Sequence, residues 1–430
     1  MQNALTARSR FADLPVFSGK VFTLFVLFFT VVMEALIAEL GFPPTIRYIN
    51  DCLILILLLT ILVKPAHLGV KVGGPVICVT LLLLLTFSVS SIINGVKPLL
   101  YLWAFRNTFR GFIFFFACVR YLNKDDLPGI MDALLALQIA SFFLALYQHF
   151  VLGLNMDYTG GLFGHGNGAG VNPFNALLFA YYLNAYLSGN QSLRKLAVAL
   201  ITSLIIAGVA EEKITFVLFV VIALVSLLLT RASGKLLVAL SISLVALAIG
   251  LNVLRTLYPS MIEILTSIDA MNQYLTATYE TGYMLPRIGS FPVIKNMFFG
   301  GSLLKSLFGV GFGNGETSSF AFLVGPYYVL YGFLNYRWFT HQWIFLECGY
   351  LGFYCYLAFF VVVLLTLLVR RRAAGRDELP YLTCSAALVV CVIISIWYNA
   401  TLKVDMCYIS FFSIAIGFVA TRAQGEGEFR

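Results

Sequence analysis

The sequence predicts an all-α polytopic membrane protein with about 12 transmembrane helices and a large extracytoplasmic loop domain between the ninth and tenth spans. Of its 430 residues, 60% are hydrophobic and only 11% are charged, which is outside the range of soluble domains. A bilayer core about 30 Å thick needs roughly 20 apolar residues per helix. The runs lack the alternation of a membrane β-strand, so each is expected to be a helix.

The apolar runs follow one another from the N-terminus to the C-terminus, separated by polar or glycine-rich connections. The polar start of the chain shows no cleavable signal peptide, so the first run is interpreted as an uncleaved anchor. The predicted spans are 21–38, 46–63, 74–93, 99–119, 129–152, 173–188, 194–210, 214–230, 236–254, 341–369, 380–398 and 404–421.

Lysine and arginine are concentrated on one side of these spans. If the N-terminus is inside, the inner segments hold most of them, including the run from Arg370 to Arg372. The short outer loops hold only Arg47, Lys97, Lys213 and Lys403. The positive-inside rule therefore predicts that both termini are cytoplasmic. The formal net charge of +8 reflects this bias, and no nucleic-acid partner is predicted from it.

Two outer segments are too long to be simple turns. A glycine-rich loop covers residues 154–172, and the predicted loop domain covers 255–340; residues 1–254 and 341–421 form the helical parts, and 422–430 form a cytoplasmic tail. In the loop domain, "SMIEILTSIDAMNQYLTA" has the spacing of one amphipathic helix and "FPVIKNMFFGGSLLKSLF" that of a second, lying along the membrane surface. Loops of this length usually carry function, so activity is expected at the outer face.

The glycine run "FGVGFGNG", with glycines at 309, 311, 313 and 315, fits neither a Walker loop nor a dinucleotide fingerprint. It predicts either a tight turn or a backbone nest that binds an anionic ligand. The eight cysteines lie mostly within the spans and form no C-x-x-C pair. They are expected to be packing residues rather than catalytic or metal-binding ones.

Two arginines in the fourth span are expected to lie in the membrane. Arg106 and Arg110 are four residues apart and so share a helix face. Charge at this depth indicates a polar partner or a cavity. Glu34, in the first span, is a candidate partner for Arg106. The pair fits either a structural network or the lining of a path for an anionic lipid.

Four motifs occur in a fixed order: "DYTGGLFGHGNG", "AEEK", "PRIGSFPVIKN" followed by "LFGVGFGNG", and "HQWIFLECGYLGFYCYL". Together they extend from about Asp157 to Leu357. In these motifs the chain resembles the superfamily of O-antigen polymerases and O-antigen ligases, polytopic bacterial glycosyltransferases of the GT-C type. The order of the motifs, with a long outer loop before the histidine-bearing helix, carries the resemblance.

The resemblance implies transfer of sugar from an undecaprenyl-diphosphate-linked donor to a hydroxyl of an acceptor glycan, outside the bacterial cytoplasmic membrane. Cations must then meet the charge on the leaving diphosphate. Arg287 is the leading candidate and Lys213 the second. A neutral histidine suits deprotonation of the hydroxyl, so His341 is the candidate catalytic base.

Each of the other candidates has a plain alternative. Arg337 binds substrate or contacts lipid headgroups, and Glu347 orients the base or acceptor or pairs with a cation inside the bundle. Glu211 and Glu212 brace Lys213 or are solvated carboxylates at a helix end. His165 in the glycine-rich loop is interpreted as a structural residue rather than a second base, and it is also a substrate-binding candidate. No metal or other cofactor is expected.

Polymerase is favoured over ligase because "AEEK" and "DYTGGLFG" look more like exopolysaccharide polymerases. The partners implied are lipid-linked donor and acceptor glycans, membrane lipid, a chain-length regulator and a flippase. A flippase activity of the chain itself is the alternative class. Transporters of that kind usually show repeated halves and interrupted helices, and the sequence shows no internal repeat.

Overall fold

The computed structural model describes residues 16–63, 71–166, 170–230, 234–276 and 284–421. Within these ranges the chain is helical and contains no β-strand. The predicted cytoplasmic tail 422–430 and the basic residues before position 16 lie outside the described residues.

The helices of the first part of the chain coincide with the first nine predicted spans to within a few residues. They are α1 (Val16–Ala38), α2 (Tyr48–Val63), α3 (Gly74–Ile93), α4 (Pro98–Tyr121), α5 (Leu127–Phe150), α6 (Val171–Ser188), α7 (Leu193–Val209), α8 (Lys213–Leu229) and α9 (Gly234–Leu257). Proline in the first turn opens α3, α4 and α5, where its missing N–H has no intrahelical partner to lose. Gly189 ends α6 in the left-handed conformation, a common helix stop.

The remaining helices belong to the outer segment and the last part of the bundle. They are α10 (Pro259–Thr266), α11 (Ile268–Thr276), α12 (Ser290–Ile294), α13 (Leu303–Phe308), α14 (Pro326–Tyr331), α15 (Thr340–Ala373), α16 (Leu379–Tyr398) and α17 (Cys407–Ala420). The two amphipathic pieces predicted from sequence are each interrupted. Extended backbone at Ser267 separates α10 from α11, and left-handed glycines at 300 and 301 precede α13.

Seven helical segments of the described ranges are long and apolar enough to cross a membrane. They are Gly19–Ala38, Pro44–Val63, Gly74–Ile93, Lys124–Phe150, Gly234–Leu257, Thr340–Ala373 and Leu379–Tyr398. Two further apolar helices, α8 and α17, are shorter. The chain is therefore a helical protein with several candidate membrane spans.

The centre of the bundle is formed by α17, which is buried at every position, together with α6 and α16. The outer segment shares this core rather than forming a separate one. Phe299, Phe312 and Tyr336 are almost fully buried among residues of the bundle helices. Packing of the outer segment therefore fixes its position relative to the helices.

Helix α15 is broken at Gly349, whose backbone angles are φ 62° and ψ −162°. The break frees two carbonyl groups, and the glycine-run loop supplies donors for them. Val310 N–H donates to the Leu346 carbonyl over 2.9 Å, and Gly311 N–H donates to the Glu347 carbonyl over 3.0 Å. A Cβ at position 349 would lie 2.6 Å from the backbone of the same loop, so glycine is required there.

Candidate active-site cavity

A cavity of about 870 Å³ lies where helix ends and connecting segments meet. Residues from the glycine-rich loop, the start of α8, the outer segment and the end of α16 all contribute to it. Its polar lining includes Asp157, Asn172, Glu211, Glu212, Lys213, Tyr274, Arg287, Asn335, Arg337 and Asn399. We call it the main cavity. Five of the residues considered from the sequence therefore line one space: Lys213, Arg287, Arg337, Glu211 and Glu212.

Arg287 is half-buried and surrounded by aromatic rings. Its guanidinium carbon lies 4.0 Å from the centre of the Tyr274 ring and 5.1 Å from that of Phe339, and the Tyr398 ring lies 5.8 Å away. Among the described residues it has no carboxylate within salt-bridge distance, and its buried Nε has no hydrogen-bond partner. Contact with these aromatic rings thus holds the guanidinium in place, and no acid among the described residues pairs with its charge.

Arg337 has the same character on another side of the main cavity. Its guanidinium lies 5.0 Å from the Tyr328 ring centre and 4.9 Å from that of Trp343. Its Nε is also buried without a partner among the residues described. Both arginines are therefore available to an anionic ligand.

The "AEEK" motif contributes a third cation together with two acids at the start of α8. Lys213 forms an ion pair with Glu211 and lies 5.6 Å from the Tyr274 ring centre. Glu211 adopts a left-handed conformation, with φ 61°, which is uncommon for a residue other than glycine. Of the two acids expected to brace Lys213, Glu211 contacts its amine and Glu212 does not.

Glu212, the second acid of the motif, is almost fully buried against the main cavity. Asn172 Nδ2 donates to its Oε2 over 2.6 Å, and Thr215 Oγ1 donates to Asn172 Oδ1 over 2.6 Å. Its other oxygen, Oε1, has no hydrogen-bond partner among the described residues. Burial raises the pKa of Glu212 to about 8, with a further contribution from the Asp157 carboxylate.

His341 lies beside a second, smaller cavity of about 490 Å³, which it shares with Arg287, Ser290 and Trp397. It is 1% exposed. Its Nε2 lies 2.9 Å from the Arg287 carbonyl oxygen and its Nδ1 lies 3.2 Å from that of Ile396. A carbonyl oxygen only accepts, so both ring nitrogens are directed at acceptors. A neutral imidazole carries one ring N–H, so it donates to one of these two carbonyls while its other nitrogen faces the second. A role as base requires that second contact to open first.

Glu347 is separated from the main cavity and belongs to a buried ionic cluster with Lys403 and Glu316. Lys403 Nζ lies 2.9 Å from Glu316 Oε1 and 3.1 Å from Glu347 Oε2, and all three side chains are fully buried. The N–H groups of Gly313 and Gly315 each donate to Glu347 Oε1 over 3.0 Å. The glycine run is thus a backbone nest, and its anion is Glu347 itself.

The two arginines of α4, Arg106 and Arg110, belong to a second ionic network. Arg106 binds both oxygens of Asp51, with its Nε 2.9 Å from Oδ1, and Arg110 pairs with Asp405. The expectation of Glu34 as the partner of Arg106 was wrong. Helix packing brings Glu34 to Arg47 instead, with two contacts of 2.8 Å. Neither Arg106 nor Arg110 lines the main cavity.

His165 also lies apart from the main cavity lining. Its Nε2 lies 2.8 Å from Glu39 Oε1, and Gln148 Nε2 donates to the same oxygen over 2.6 Å. These contacts tie the glycine-rich loop to the ends of α1 and α5. The structure therefore gives His165 a bracing position.

Sequence reasoning overlooked several residues of the main cavity: Asp157, Asn172, Tyr274 and Tyr398. Asp157 belongs to the motif "DYTGGLFGHGNG", and Asn172 is the last residue of the same glycine-rich loop. Their position in this loop is the signal that could have identified them. The two tyrosines carry no comparable signal, because aromatic residues are common throughout the chain.

A comparison of the chain with models of known protein families gave no match. A comparison with curated proteins also gave no match.

Proposed function

We propose that the chain is a membrane glycosyltransferase that polymerises undecaprenyl-diphosphate-linked oligosaccharide repeat units into a surface polysaccharide. The observation that carries the proposal is the convergence of Arg287, Arg337 and Lys213 on one cavity. They come from distant parts of the sequence, and the two arginines lack described carboxylate partners. A lipid diphosphate requires this kind of charge as it leaves.

The proposal includes twelve spans in a bacterial cytoplasmic membrane, with cytoplasmic termini and the main cavity on the extracytoplasmic side. Lys213, Arg287 and Arg337 come from segments that the positive-inside rule predicts to be outside, so the main cavity is assigned to that side. Helix α6 is less apolar than the seven candidate spans, but it is buried over most of its length. A helix enclosed by other helices needs less apolar surface than one facing lipid.

A flippase remains the alternative of a different class, and the break of α15 at Gly349 is a feature that transporters share. In transporters, the freed backbone groups commonly bind substrate or coupling ions. Here the freed carbonyls of Leu346 and Glu347 accept from Val310 and Gly311. This supports a structural break and favours the transferase.

Purified protein in detergent, supplied with an undecaprenyl-diphosphate-linked oligosaccharide, tests the proposal directly. A ladder of lipid-linked products of increasing length is the expected result. A single transfer to a lipid A core would indicate a ligase. No transfer by well-folded protein would contradict a glycosyltransferase and favour a flippase, which needs a membrane to cross.

We expect the transfer reaction to need no divalent cation. Neither outer segment contains an Asp-x-Asp motif, and cations of the chain itself supply charge for the diphosphate. Turnover should therefore be unchanged, within about twofold, after incubation with excess EDTA. Loss of activity that returns on adding magnesium or manganese would contradict this expectation.

A further inference from the structure

Glu212 has the surroundings of a proton acceptor, and it is the least explained ionisable group of the main cavity. It is 4% exposed, although an acidic side chain is rarely so buried without a cation in contact. Among the described residues it forms no ion pair, because the Lys213 amine contacts Glu211. If Glu212 only filled space, replacing it with an amide or an apolar side chain of similar size would leave activity unchanged.

The Asn172–Thr215 pair fixes the direction of this carboxyl group. Thr215 orients Asn172, and Asn172 donates to one carboxyl oxygen, Oε2. These residues stand in the first turns of α6 and α8, so two helices hold the group. The other oxygen remains without a partner among the residues described. One anchored oxygen and one unoccupied oxygen is the arrangement that a general base needs.

We propose that Glu212, rather than His341 in its present contacts, accepts the proton of the acceptor hydroxyl. This inference rests on the proposed function. The hydroxyl proton passes to Oε1 of Glu212, and the hydroxyl oxygen forms a bond to the anomeric carbon of the donor. The bond between that carbon and the phosphate oxygen breaks, and its electron pair leaves with the lipid diphosphate, beside Arg287 and Lys213.

The electrostatics of the cavity are compatible with this role. Asp157 and Glu211 act against ionisation of Glu212, whereas Lys213 and the Asn172 amide favour it, and burial dominates. Tyr398, on the end of α16, also faces this carboxyl group. The pKa of Glu212, raised to about 8, leaves a minority of the group ionised at neutral pH, but makes that fraction a stronger base than an ordinary carboxylate.

The pH dependence separates Glu212 from His341. Only the carboxylate accepts a proton, so the wild-type turnover should rise about tenfold per pH unit below pH 8 and level off above it. A histidine base with the reference pKa of about 6.5 would already level off near pH 7.5. A wild-type profile that is flat between pH 7 and pH 9 would overturn the proposal.

Glu212→Gln is the decisive variant, since glutamine keeps the shape of the protonated acid and a hydrogen bond to Asn172. It should lower turnover by ~10²–10⁴-fold while binding undecaprenyl diphosphate at least as tightly as wild type. Glu263→Gln, at an exposed position of α10, is the matched control and should retain wild-type turnover. Turnover of Glu212→Gln within threefold of wild type would overturn the role of Glu212. It would leave the proposed glycosyltransferase function unaffected.

His341→Gln supplies the remaining comparison. Its residual activity should keep the rise toward pH 8, because the histidine positions the Arg287 backbone and does not take the proton. The residual activity of Glu212→Gln should lose that rise. The reverse pattern would assign the proton to His341, and absence of transfer by wild type would refute the proposed function instead. Thermal denaturation in detergent establishes that each variant is folded.

Discussion

Arg287→Ala should lower the rate of glycosyl transfer by about 10²–10³-fold, the range for removing one group that stabilises charge at a leaving or attacking oxygen. The rate of Arg287→Lys should exceed that of Arg287→Ala by less than about tenfold, although lysine keeps the positive charge. The guanidinium lies against the Tyr274 ring at 4.0 Å, and a lysine amine can neither stack in that way nor donate two parallel hydrogen bonds to a phosphate.

The measurement is single-turnover transfer from a lipid-linked donor, at saturating donor, by variants that denature at the wild-type temperature in detergent. Arg255→Ala is the matched control, because Arg255 is exposed at the end of α9 and does not line the main cavity. It should behave as wild type. Near wild-type turnover of Arg287→Ala would show that the leaving group is stabilised elsewhere.

The helix positions could be predicted closely from the sequence because an apolar segment placed in lipid has only one stable backbone conformation, the helix. An apolar run of spanning length must satisfy its backbone internally, so helix positions follow from composition alone. The breaks were not predicted. Gly349 lies within a predicted span, shortly after Glu347. The donors that meet the carbonyls freed by its left-handed conformation come from a loop about forty residues earlier, which no local pattern reveals.

The convergence of Arg287, Arg337 and Lys213 on one cavity agrees with their selection from the sequence as substrate-binding candidates. The segments predicted to be outside contain few arginines and lysines. Residue type and predicted side of the membrane therefore left few candidates for binding an anionic substrate. Their use by a substrate stays a proposal. His341, the candidate catalytic base, lines the smaller cavity, but both of its ring nitrogens contact backbone carbonyls.

The partners of buried charges were the least predictable part of the site. Asp51, Glu316 and Asp405 were not considered, although Asp51 pairs with the partly exposed Arg106 and the other two pair with buried cations. Residues distant in sequence become ion partners only when helices pack, and the sequence contains several acids at comparable depth. For the same reason the sequence could not identify the anion of the glycine nest, since Glu347 is 32 residues away from Gly315.

Lys403→Met should destabilise the protein by about 3–5 kcal/mol, because it removes one partner of a fully buried ionic cluster. Lys403 Nζ lies between the carboxylates of Glu316 and Glu347, and 3.8 Å from the centre of the Trp343 ring. Burial alone would lower the pKa of Lys403, but the two carboxylates outweigh burial and raise it. The amine is therefore charged at neutral pH, and without it two acids would face each other away from water.

Reversible unfolding in mixed micelles, or the denaturation temperature in detergent if unfolding is irreversible, measures the effect. Lys295→Met, at an exposed position, should change stability little. Adding Glu316→Gln and Glu347→Gln to Lys403→Met should restore most of the loss, because neutral amides need no counter-ion and can still accept hydrogen bonds from Gly313 and Gly315. If the triple variant is no more stable than Lys403→Met, the loss comes from packing of the lysine side chain against Trp343 rather than from uncompensated charge. If the triple variant regains stability, charge balance in this cluster stabilises the packing of the glycine loop on α15 at its break.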